Sequence, residues 1–135
     1  MPRVNKVMII LAGLLFSGLA NASVVDDLLK EYQSAGAAEF DAERGDKLWH
    51  KEYPDPDAAG KTRGCTLCHT TDLRASGKHV RTGKVIEPMA PSVNKERLTD
   101  PKFIEKWFTR NCKWVIGRKC TPQEKGDVLK FLMTQ

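Results

Sequence analysis

Residues 65–69 read Cys65-Thr66-Leu67-Cys68-His69, and no other stretch of the chain restricts its fold as much. The C-x-x-C-H pattern is the attachment site of a c-type haem. Two thiols three positions apart reach the two vinyl groups of one porphyrin, and the adjacent imidazole reaches the iron. The covalent links keep the haem in a domain too small to enclose it by packing alone. A bare C-x-x-C would instead read as a thiol–disulfide site or half a zinc site. Those readings want a βαβ pattern or a second ligand pair at matching spacing, and the sequence has neither. One haem c, bound through Cys65, Cys68 and the proximal ligand His69, is therefore expected.

The rest of the chain agrees with an exported domain of modest size. Arg3 and Lys6 precede a mostly apolar run, Val7 to Ala20, and Ala20-Asn21-Ala22 has the small-x-small form of a cleavage site. The pattern predicts a secretory signal peptide over residues 1–22, cut after Ala22, and a periplasmic protein with one domain over residues 23–135. No second apolar span follows, so the mature form is not expected to span a membrane. The net charge is +5, of which the leader carries two positive charges, and haem propionates would bring the remainder near neutral. Without a basic stripe interleaved with aromatics, this composition argues against nucleic acid. It leaves room for a lysine-rich face that docks an acidic redox partner.

Hydrophobic periodicity predicts helices throughout and little strand. Val24–Gln33 places Val25, Leu28, Leu29 and Tyr32 on one side. Asp41 caps a second helix over residues 41–53, with Leu48 and Trp49 on its buried edge and Gly45 suited to a close helix crossing. Asp100 and Pro101 open a third helix, read to Asn111, with Phe103, Ile104, Trp107 and Phe108 apolar. Thr121, Pro122 and Glu124 form a capping box for the last helix, where Gly126 also allows a close contact. The fold class is all-α, a class I cytochrome c-like arrangement of helices round one covalently attached haem.

The ligand opposite His69 separates an electron carrier from a protein that binds small molecules. Met89, in Pro88-Met89-Ala90-Pro91, stands 20 residues past His69 in a proline-bounded segment. On spacing alone it is the first choice, since a thioether favours ferrous iron. It also reads as a core-filling residue. Asn111 reads most simply as a helix-ending residue. His50 and His79 have no local feature that favours ligation, and Met133 looks like terminal packing. Cys112 and Cys120 remain as an even pair in an oxidising compartment.

From DAERGDKLW through CTLCH, RTGKVIEPMAPS and LTDPKFIEKWF to RNCKWVIGRKCTPQEKGDVLKFL, the chain resembles the SHP family of monohaem cytochromes c. The most specific part is Asn111 to Lys125. The resemblance implies a class I cytochrome c fold, haem bound through the C-x-x-C-H motif, and Asn111 as the distal iron ligand. It implies a disulfide between Cys112 and Cys120, which would stiffen the segment beside Asn111. Leucine holds the place of Met89 in a member of that family, so methionine is a departure and an alternative distal ligand here.

The resemblance further implies that reduction frees the asparagine and lets ferrous haem bind O2, NO or CO. Its redox partners would be a dihaem cytochrome c and a membrane cytochrome b. The rival functions are an ordinary Met/His-ligated electron carrier and an oxygen-reducing, oxidase-like enzyme. The second needs a proton donor, and Arg110, Lys113 and Arg118 stay cationic. An electron-transfer and ligand-binding role is thus expected ahead of catalysis.

Overall fold

The computed structural model describes residues 19–135, and side chains from Val24 onward. The expected leader up to residue 18 lies outside the described residues. Helix α1 spans Leu19–Ser34, α2 Ala42–His50, α4 Pro101–Ile116 and α5 Pro122–Met133, with a single-turn α3 at Thr66–His69. Two small antiparallel ladders pair β1 (Tyr53–Pro54) with β2 (Thr62–Arg63), and β3 (Gly77–Lys78) with β4 (Val85–Ile86). These two-residue ladders have no hydrophobic run behind them, which is why periodicity does not announce them.

The helices begin where their caps dictate. The Asp41 carboxylate accepts from Arg44 N, and the Asp100 carboxylate from Lys102 N and Phe103 N. Thr121 and Glu124 close a full capping box, with Glu124 also paired to Arg118 at 2.7 Å. At its far end α2 stops at His50, because Lys51 turns to extended backbone ahead of β1.

The principal packing is α2 across α5, with α1 laid on α5 and in contact with α4. Gly45 makes the crossing close: a Cβ there would overlap the carbonyl oxygen of Asp127 and crowd Phe131. Gly126 differs from expectation, since it faces the ring of Phe40, in the α1–α2 connection, rather than a second helix. The Asp127 carboxylate is buried beside the crossing. It accepts from Arg44 Nε and Nη2 at 2.9 Å and from the backbone N–H of Asp41 at 2.8 Å. On α1, Tyr32 donates to Glu105 of α4, which Lys125 of α5 also meets at 2.6 Å. Val25, Leu28, Leu29, Trp49, Ile104, Leu129 and Leu132 form the core between these elements.

Gly45→Ala is expected to destabilise the protein by about 3 kcal/mol, as overpacking against a backbone carbonyl does. A chemical-denaturation midpoint that drops, with an unchanged denaturant slope, is the check.

Candidate functional site

The motif residues sit on α3, held from both sides. Ahead of it, Arg63 is buried and pairs with Asp55 at 2.8 Å and Asp57 at 2.5 Å. Its Nη1 donates to the carbonyl of Trp114 at 3.2 Å, and its guanidinium lies 4.7 Å from the Trp114 ring centroid. Arg63 thus joins the strand before the motif to α4. Behind it, β3 packs so close that a Cβ on Gly77 would overlap the Cys68 carbonyl oxygen. The α3 turn thus follows a strand tied to α4 and packs against β3.

Cys65 and Cys68 are free and half-buried. Burial pushes the Cys65 thiol up to about 11. Its thiolate fraction at neutral pH is then on the order of 10⁻⁴, the reverse of what thiol–disulfide exchange needs. Among the described residues no group of three or more His, Cys, Asp or Glu side chains stands together to hold a metal.

Burial, helped by the nearby Arg97 cation, lowers the His69 pKa to about 4. The imidazole is neutral at physiological pH, as a metal ligand must be. It lies 5.4 Å from the ring of Trp49, and its buried Nδ1 has no hydrogen-bond partner. The other histidines are engaged elsewhere. His50 is exposed, with Nδ1 2.8 Å from Asp46. His79 Nδ1 accepts from the backbone N–H groups of Arg81 and Thr82 in the hairpin turn.

Met89 is partly buried and packs against the core. Its segment is clamped. The Pro88 carbonyl accepts from Arg97 Nε at 2.8 Å and from Asn94 Nδ2 at 3.0 Å, and Ala90 N donates to the Leu73 carbonyl at 2.9 Å.

Asn111 is where the sequence-based helix boundary needs correcting. Helix α4 does not end there; it continues to Ile116 and stops at Gly117, whose φ of 80° is left-handed. The helix-ending reading of Asn111 is removed. Val115 and Ile116 followed by a glycine was the signal for the true stop. Inside a helix asparagine is a poor former, unfavourable by ~0.6 kcal/mol against alanine, so capping does not account for it.

Two stripes run along α4. Ile104, Phe108, Cys112 and Val115 face the core. Phe103, Trp107, Asn111 and Trp114, three or four residues apart, share the adjacent face. Phe103 and Trp107, read as part of the helix's apolar face, are 45% and 36% exposed and meet edge-on at 5.9 Å. Asn111 thus stands among aromatics outside the protein's own core. Leu67, Val80 and Val85 are exposed as well. A cleft of about 750 Å³ is lined by Leu67, Val80, Arg81, Arg63 and Trp114, with Asp55 and Asp57 at its polar side.

These features fit a haem. They supply two unbonded half-buried thiols on one turn, a neutral imidazole beside them, and uncovered apolar and aromatic side chains. Cys112 and Cys120 stand at disulfide distance, with Cα atoms 5.6 Å apart, and tie the last turns of α4 to the start of α5 just beyond Asn111.

Residues 35–132 match the family described as a domain of unknown function, DUF1924. Over 133 residues the chain is 41% identical to the cytochrome c-type protein SHP of Cereibacter sphaeroides, covering 97% of this chain and 99% of that protein. It is 32% identical over 138 residues to cytochrome c'' of Methylophilus methylotrophus, covering 96% and 94%. The structure of oxidized SHP, described as an oxygen-binding cytochrome c, superposes with a TM-score of 0.72 at 43% identity, covering 82% of this chain and 96% of that one. The solution structure of cytochrome c'', presented for its haem-ligand detachment, gives 0.69 at 30% identity, covering 87% and 94%.

Proposed function

The chain belongs to the SHP family of c-type cytochromes, and from that premise we propose that it is an exported monohaem cytochrome whose distal ligand, Asn111, lets go on reduction. The family's cofactor is one covalently bound haem c. Cys65 and Cys68 hold it by thioether links, and His69 gives it Nε2. When bound, the haem would supply one-electron chemistry.

The observation that carries this reading is the place of Asn111. It lies inside α4, on the aromatic face rather than the core face or a helix end. The amide oxygen is a neutral, hard and weak donor. It suits ferric iron and is held poorly by the softer ferrous ion. Asn111 would therefore hold the ferric group and release it on reduction, which would let the reduced protein bind O2, NO or CO. The Cys112–Cys120 link keeps the helix end, and the asparagine with it, within reach for reoxidation. SHP itself is described as binding oxygen, and cytochrome c'' as detaching a haem ligand.

The electron comes from a redox partner, which we take to be a dihaem cytochrome c supplied by a membrane cytochrome b. Periplasmic location rests on the leader pattern over residues 1–22. Among the described residues no helix is long and apolar enough to cross a membrane.

The rival is a fixed Met89 ligand, whose side chain is partly buried against the core as that of Cys65 is. An oxidase-like role needs a proton donor beside Asn111. Of the cations named for it, Arg118 is paired with Glu124 and Arg110 lies over the Trp107 ring.

The visible spectrum of the reduced holoprotein, recorded before and after carbon monoxide, tests the proposal. A fast, complete shift is expected. A low-spin reduced spectrum that ignores carbon monoxide would overturn it and leave an electron carrier.

A further inference from the structure

We infer that Trp49 positions the His69 imidazole through one buried water that both rings hold, an inference that rests on His69 giving Nε2 to the haem iron. Trp49 is 5% exposed, and its ring lies 5.4 Å from that of His69 at an interplanar angle of 42°. Trp49 Nε1 and His69 Nδ1 are both buried, and neither has a hydrogen-bond partner in the protein.

The chemistry of the two atoms narrows what joins them. An indole nitrogen can only donate. A neutral imidazole that lends Nε2 to a metal keeps its proton on Nδ1, so this atom donates too. Two donors cannot bond each other, and burying a donor without an acceptor costs about 1–3 kcal/mol. Phe131, 6.3 Å from Trp49, brings no polar group. Arg97, the charged group that acts on His69, is itself a donor, engaged with the carbonyls of Glu87 and Pro88. Each donor needs an acceptor, and with the rings 5.4 Å apart one water oxygen can accept from both at once; buried waters commonly make about three such bonds.

A metal-ligating histidine nearly always donates its second N–H, and the strength of that bond sets how much electron density the imidazole gives the metal. Trp49 is then a positioning residue. It fixes the ring plane of His69 and, through the water, tunes the ligand opposite Asn111.

The experiment is nuclear magnetic resonance on the ¹⁵N-labelled, reduced, carbon monoxide-bound holoprotein, which is diamagnetic. Trp49 Nε1–H and His69 Nδ1–H are expected to exchange slowly and to show cross-relaxation with one bound water. In Trp49→Phe, which keeps a ring and loses the donor, exchange at His69 Nδ1–H is expected to rise about tenfold, as loss of an ordinary hydrogen bond implies. The iron–histidine stretch of the reduced, gas-free protein should shift with it.

Absence of a water contact at either proton in the parent overturns the inference and needs no variant to fold. An unmoved exchange rate and stretch in Trp49→Phe do the same. A His69→Ala protein that keeps the parent's visible spectrum would instead remove the underlying assignment of His69.

Discussion

Replacing Asn111 with alanine is expected to change the spectrum of the ferric protein and to leave gas binding by the ferrous protein almost as it was. The asymmetry follows from the donor. An amide oxygen contributes to the ferric state and little to the ferrous one, so its removal acts on one redox state. Gas affinity of the reduced variant should stay within about threefold of the parent, ~0.6 kcal/mol. The midpoint potential should rise, because the oxidised state alone loses a ligand. Each ~1.4 kcal/mol of lost ferric stabilisation moves a one-electron couple by ~59 mV. Met89→Leu is the paired control. It conserves volume in a partly buried position and should cost less than ~1.5 kcal/mol, with both spectra unchanged. The reverse pattern, an opened ferrous site in Met89→Leu and a silent Asn111→Ala, would return the distal position to the methionine. Absorption spectroscopy with spectroelectrochemical titration reads all of these.

The second large effect belongs to the motif cysteines. Cys65→Ser with Cys68→Ser is expected to abolish covalent haem: all haem should leave on acid–organic extraction, where the parent retains it. Either single variant should keep one thioether and stay coloured after the same treatment. The chain's apolar surface gives the physical reason to expect a loss of stability too. Leu67, Val80, Val85, Phe103 and Trp107 are exposed, and a domain of this size has little core to spare. A haem-free double variant should unfold at a lower temperature and bind hydrophobic dyes. Retention of extract-resistant haem in the double variant would remove the thioether assignment.

Much of this was legible in the chain because it depends on neighbours in sequence. Asp41, Asp100 and the Thr121–Glu124 box act within one helical turn, and each cap stands where its residues predict. Gly45 was open to two readings, a close helix crossing or a merely tolerated glycine, and it is a crossing point, against Asp127 and Phe131. The limits appear where local rules compete. Asn111 is a reasonable helix end by its own propensity, yet Trp114, Val115 and Ile116 carry α4 another turn to Gly117 because Val115 has a core to face. Phe103 and Trp107 have the right spacing for a core face, but spacing does not say which of two adjacent stripes is turned inward. That depends on α1 and α5 lying against the Ile104 side.

The sequence alone determined the cofactor chemistry and the family: a Cys65–Cys68–His69 turn and the Asn111–Lys125 stretch carry both, since thioether formation and ligation need only residue type and short spacing. Tertiary structure decided what surrounds them. It set the buried Arg63 between the motif and Trp114, the clamp of Arg97 on the Met89 segment, the aromatic face that holds Asn111, and the pairing of Trp49 with His69. These are contacts between residues far apart in the chain. They follow from how closely α2 crosses α5 and how α3 is seated, which packing decides and no local pattern encodes.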